Sequence, residues 1–120
     1  MKTGQWNRRE WLLGAGAMGA SAMVMPSRVL AQSAVTVGFI YVGPRDDYGY
    51  NQSHAESAAA LKAMGGFNVV EQENVPETQI VQRTMQGMIS QDGATLLFPT
   101  SFGYYNPHVI TSAKRNPDIR

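Results

Sequence analysis

VTVGFIYVGPRDDYGYN, residues 35–51, passes abruptly from an apolar run into an acidic and aromatic loop. Val35, Val37, Phe39, Ile40, Tyr41 and Val42 are β-branched or aromatic and nearly continuous, which predicts a strand buried on both faces, as in a parallel sheet. Gly43-Pro44 stops it, because proline has no amide for the ladder and glycine tolerates a tight exit. Arg45, Asp46, Asp47, Tyr48, Gly49, Tyr50 and Asn51 then supply carboxylates, an amide and flat rings at the carboxyl end of a central strand. Such a loop suits a polar, ring-shaped ligand. It equally suits a solvated turn whose Asp and Asn cap the next helix.

Downstream, the same pattern repeats. Ser53-His54-Ala55-Glu56 reads as a capping box opening a helix whose Ala55, Ala58, Ala59, Leu61, Ala63 and Met64 face a sheet, closed by Gly65-Gly66. Phe67 to Glu73 is a second strand, and Pro76 stands near the start of a second helix. Val81, Met85, Met88 and Ile89 recur there at helical spacing as core packing rather than a cofactor box. Ala94 to Phe98 is a third buried strand, ending at Pro99 in the small polar and aromatic run Thr100, Ser101, Phe102, Gly103, Tyr104, Tyr105. Asn106-Pro107 predicts a third helix with Val109, Ile110 and Ala113 inward, and Ile119-Arg120 would begin a fourth strand.

Successive βα units with right-handed crossovers predict a three-layer α/β fold around a parallel sheet of order 2-1-3. The expected ligand crevice lies between the carboxyl ends of strands 1 and 3, where the winding direction reverses. Gly43 to Asn51 and Thr100 to Tyr105 flank that crevice. With a fourth strand barely begun, the reading expects the front part of a longer protein with an open sheet edge.

Residues 1–31 read as an export signal rather than as fold, and 32–120 as a partial lobe. Lys2, Arg8 and Arg9 form a basic head, Trp11 to Met25 an apolar middle too weak for a membrane span, and Val29-Leu30-Ala31 a cleavage end. Arg8-Arg9-Glu10-Trp11-Leu12 resembles a twin-arginine signal, while Asn7 and Leu13 depart from the fuller pattern and leave the general secretory route open. No cysteine follows, which predicts a soluble periplasmic protein without a lipid anchor. Residues 1–31 carry a net charge of +3 and the remainder −2, so the basic balance belongs to the signal and nothing points to nucleic acid. The absence of cysteine excludes disulfides, thiolate metal sites and a cysteine nucleophile. His54 and His108 share no metal-ligand spacing and read as surface or cap residues.

From Val35 to Arg120 the sequence resembles the beginning of the basic membrane protein family of ABC-transporter substrate-binding proteins, which includes purine nucleoside receptors. The resemblance rests on Val37-Gly38-Phe39-Ile40, on the loop Asp47-Tyr48-Gly49-Tyr50-Asn51-Gln52, and on Leu97-Phe98-Pro99-Thr100-Ser101-Phe102-Gly103-Tyr104. It implies the first lobe of a two-lobed type I periplasmic binding protein that passes its ligand to a membrane permease. A purine nucleoside or nucleobase would stack on Tyr50, with hydrogen bonds from Asp47 and Asn51, and with Ser101 and Phe102 as further contacts. It implies no enzyme, cofactor or metal. The missing lipoprotein cysteine and the extra Arg45-Asp46 and Tyr48 depart from commoner members. The alternatives are a secreted hydrolase using Asp46 and Asp47, for which no nucleophile–base pair is present, and a receiver-like domain. The latter would need an aspartate where Phe98-Pro99-Thr100 stand. Gly43 to Gly49 does not spell the dinucleotide-binding glycine fingerprint.

Overall fold

The computed structural model describes residues 34–120; the expected export signal lies outside the described residues. Three parallel strands, β1 (Val35–Ile40), β2 (Phe67–Gln72) and β3 (Ala94–Pro99), form a sheet of order β2-β1-β3. The central strand is the most buried of the three, as a position flanked on both edges requires. Val37, Phe39, Ile40 and Tyr41 are all buried. Helix α1 (Tyr50–Met64) and helix α2 (Gln79–Ser90) complete the first two crossovers. After β3 come one helical turn (Phe102–Tyr104), a wide turn (Tyr105–Val109) and helix α3 (Ile110–Arg115).

Alternation along β1 divides the core into two layers. Val37, Phe39 and Tyr41 meet Ala58 of α1, with Ala55, Leu61, Val69 and Leu96 around them. Ile40 faces the other way, into Val75, Val81, Met85, Met88, Ala94 and Tyr104. Each fully buried side chain of this size contributes about 1.5–3 kcal/mol. Gly38 explains how α2 comes so near: a Cβ there would stand 2.6 Å from Leu97 Cδ2 and 2.7 Å from Met88 Sδ.

The order 2-1-3 and the inward methionines of α2 are as expected. Arg120 also joins the outer edge of β3 in the parallel pattern, donating to Thr95 O (3.0 Å) and accepting from Leu97 N (2.7 Å). Several local expectations need correction. Helix α1 begins at Tyr50, so Ser53 and Glu56 make no capping box; Ser53 Oγ instead donates back to Gly49 O (3.0 Å). Ala59, Ala63 and Met64 are exposed, because a 15-residue helix crossing a three-strand sheet packs its apolar side chains on it through Ala55, Ala58 and Leu61. Pro76 precedes α2, whose N-cap is Thr78, its hydroxyl accepting from Ile80 N (3.3 Å). The third helix start, in contrast, is as expected: Asn106 has the extended backbone of an N-cap (φ −117°, ψ 120°), and the helical run follows it. On that run Val109 and Ile110 are half-buried as expected, but Ala113 is exposed, and Ser112 takes the inward place. His108 is buried rather than superficial, with Nδ1 2.8 Å from Gln82 Nε2.

Candidate functional site

The carboxyl ends of β1 and β3 are pinned together by a single residue. Thr100 donates both its amide (3.0 Å) and its hydroxyl (2.9 Å) to Ile40 O. The two loops singled out by composition therefore leave the sheet side by side. Beyond them, Tyr50, Pro99, Thr100, Ser101, Phe102, Tyr105 and Val109 line an open concavity of about 530 Å³, mainly apolar in its walls. That volume is in the range of small-molecule sites.

Of the five residues expected to bind ligand, Tyr50, Ser101 and Phe102 meet in this concavity. Tyr50 is half exposed and lies edge-to-face with His54, ring centroids 4.7 Å apart. Phe102 is 94 % exposed and Tyr105 65 %, a concentration of bare aromatic surface unusual for a domain of this size. Sequence reasoning placed Tyr105 in the right loop but not in the site; its position beside two other aromatics was the available signal.

Asp47 and Asn51 are turned to the protein. Asp47 Oδ1 accepts from the amides of Gly49 (2.9 Å) and Gln52 (3.0 Å), and Oδ2 from the amide (3.1 Å) and Nδ2 (2.8 Å) of Asn51. Four bonds fill the acceptor capacity of a carboxylate. Asn51 is buried, and its Oδ1 accepts from Gly43 N at 3.4 Å. A Cβ on Gly43 would stand 2.8 Å from Asn51 Nδ2, so glycine is the residue that admits this amide. Asp47 thus satisfies the free amides at the start of α1, the task the capping box was expected to perform, and Asn51 ties that carboxylate to the loop at Gly43. Tyr48, between them, sits in left-handed backbone (φ 57°) with its ring 95 % exposed, its amide held by Gln52 Oε1 at 3.1 Å.

The loop is also tied to β2. Arg45 Nε donates to Glu73 Oε2 at 2.7 Å, and Arg45 NH1 stands 3.5 Å from Glu71 Oε1. Glu71 further accepts from Tyr41 OH (2.9 Å) and pairs with Lys62. Burial pushes the Glu71 carboxyl upward, but the Lys62 and Tyr41 hydrogen bonds and the charges of Lys62 and Arg45 outweigh it and hold it below its ordinary range. Burial, then the bond to Glu71, pushes the Tyr41 hydroxyl well above its usual value. After β3, Glu77 accepts from Ser101 Oγ and from Gly103 N (3.2 Å), and Tyr104 OH donates to Val75 O at 2.5 Å. Glu77 was not anticipated from sequence. Among the described residues no cluster of three or more potential metal ligands occurs, and no helix is long and apolar enough to cross a membrane.

No family profile matches the chain. It is 36 % identical over 92 residues to a purine-binding protein of Brucella abortus, a match covering 75 % of this chain and 26 % of that protein. The chain thus spans about a quarter of the length of that curated relative. Its fold is similar to an ABC transporter solute-binding protein from Conexibacter woesei, with a TM-score of 0.61 and 24 % identity over 72 % of this chain and 28 % of that one. The Brucella relative agrees with the kinship that the sequence resemblance implies, and the solved structure with the fold.

The amides of Gln52 and Asn51, followed by the Asn51 side chain and the Gly49 amide, hold the Asp47 carboxyl down to about 2, against an ordinary 3.8. The unfolded chain takes up this proton first, so the cap's stabilisation is complete above about pH 4 and is lost as pH falls through the folded-state value. A carboxyl carbon NMR titration should place Asp47 near 2, and urea melts should show a shallower acid dependence for Asp47→Asn. Identical acid dependence in the variant and the native chain would contradict the cap.

Proposed function

We propose that this chain, kin to the substrate-binding proteins of ABC transporters and of the basic membrane protein type, forms one wall of a cleft capturing a purine base or nucleoside for a membrane permease. The observation that carries the reading is the convergence of Tyr50, Phe102 and Tyr105 on one open concavity at the switch point of the sheet. The name of the Brucella relative supplies the class of ligand. A purine offers flat faces for stacking, and aromatic rings of this kind recognise it with little loss of side-chain entropy. Asp47 and Asn51 serve the site by fixing the first turn of α1, and with it the Tyr50 ring. A second lobe would close over the exposed rings by hinge motion and bury most of the ligand. The hydrolase alternative loses support here. Asp47 is fully engaged by three backbone amides and the Asn51 side chain, and a carboxyl held near 2 is a poor base at neutral pH.

We further propose delivery to the periplasm by the twin-arginine route, on the Arg8-Arg9 pair ahead of the apolar run, with release as a soluble protein near Ala31. Arg8→Lys with Arg9→Lys should then leave the precursor in the cytoplasm, as read by cell fractionation. Undiminished export would assign the general secretory route instead.

The ligand assignment is tested on the protein encoded by the complete reading frame. Small molecules released on denaturation should include a purine by mass spectrometry, and calorimetry should show binding of adenine, guanine or their nucleosides but not of sugars. Base–aromatic stacking contributes about 1–3 kcal/mol per contact. Tyr50→Ala should therefore weaken affinity roughly five- to 150-fold with the thermal midpoint retained. Unchanged affinity would remove Tyr50 from the site.

A further inference from the structure

Phe102 presents an unsolved mechanical problem. At 94 % exposure it has almost no packing of its own, yet a stacking platform works only if the ring is held before the ligand arrives. Its two chain neighbours are both bonded to one group: Ser101 Oγ and Gly103 N donate to the same oxygen of Glu77, from the loop between β2 and α2. A Cβ on Gly103 would overlap the Glu77 carboxylate, so the absence of a side chain is what lets the carboxylate reach that amide. One residue further, Tyr104 is completely buried, its hydroxyl on Val75 O, and Val75 N in turn donates to Tyr41 O at 3.0 Å. Burial and the Glu77 charge push the Tyr104 hydroxyl up to about 12, so it remains a donor across the physiological range.

We infer that Glu77 is a positioning residue for the ligand wall: its carboxylate clamps Ser101 and Gly103 and thereby fixes the backbone from which Phe102 projects. The clamp rests on the purine-cleft reading for its purpose, but the mechanical claim stands apart from ligand identity. Tyr104 anchors the same turn to the core, so the clamp can be released without unfolding the domain. A Gln side chain keeps an oxygen acceptor in place and should preserve the clamp, whereas Ala removes it.

The test compares Glu77→Ala with Glu77→Gln in the complete protein. Amide exchange at Gly103 and ring relaxation at Phe102 are measured by NMR without ligand, alongside thermal midpoints and affinity for adenosine and adenine. Glu77→Ala should speed exchange at Gly103, mobilise the Phe102 ring and weaken purine affinity about three- to tenfold, the scale of leaving one side chain to be ordered on binding. Its thermal midpoint should stay close to the native value, and Glu77→Gln should restore both order and affinity. An equally ordered Phe102 in Glu77→Ala would overturn the proposal, as would a mobile Phe102 that Glu77→Gln fails to restore. A mobile Phe102 restored by Glu77→Gln, in a protein that binds no purine, would support the clamp while removing the purine reading.

Discussion

Everything described here hangs on β1 being paired on both edges and covered on both faces. Its register with β2 runs from Val35 against Phe67 to Ile40 against Gln72, and with β3 it reaches Ile40 against Pro99. A strand so enclosed must be largely apolar, must keep its backbone groups in the ladder, and must leave room where a helix crosses closely, which Gly38 provides. Its carboxyl end, beyond the buried Tyr41, is where it turns to solvent and delivers polar and aromatic residues. The bonds from Thr100 to Ile40 O carry that constraint across to β3, so the two loops inherit a common origin.

From that origin the loops divide their labour in a way composition does not reveal. Asp47, Asn51, Arg45, Glu71 and Glu77 direct their polar groups at backbone and at one another, while Tyr50, Phe102 and Tyr105 are left bare. The polar groups make a rigid frame and the rings make the surface. A frame of charge-assisted hydrogen bonds suits loops that have little apolar area to bury, because such bonds hold geometry without a core beneath them. Exposed rings, in contrast, are costly to leave in water and gain most when a flat partner or a second lobe covers them.

The fold was largely legible because its signals are long-ranged in the sequence. A nearly continuous apolar β1, a glycine-closed α1 and the Val81, Met85, Met88 spacing each constrain many residues at once. Local detail was less so. The motif Ser53 to Glu56 satisfied the sequence pattern of a capping box, yet Asp47 lies nearer the end of β1 and captures the earlier amides of Asn51 and Gln52, so α1 starts at Tyr50 and Ser53 falls inside it. Which of two carboxylates caps a helix depends on the path of the loop, and that path is set by Arg45 reaching Glu73 across 28 residues. Glu77 was invisible for the same reason, since its partners Ser101 and Gly103 are distant in sequence and meet it only through the sheet order. The candidate aromatics were easier to find, because an exposed ring beside glycine and small polar residues has few other uses.

The central claim is that ligand binds against the aromatic wall at the carboxyl ends of β1 and β3. Its most direct test is an amide chemical-shift map of the isotope-labelled complete protein titrated with adenosine. The account predicts saturable shifts centred on Tyr50, Thr100, Phe102 and Tyr105, spreading to Asn51 and Gly103 through the frame that holds them. Saturable shifts confined instead to the polar groove of Gln82, Arg83, Gln86 and Arg115 between α2 and α3 would contradict it.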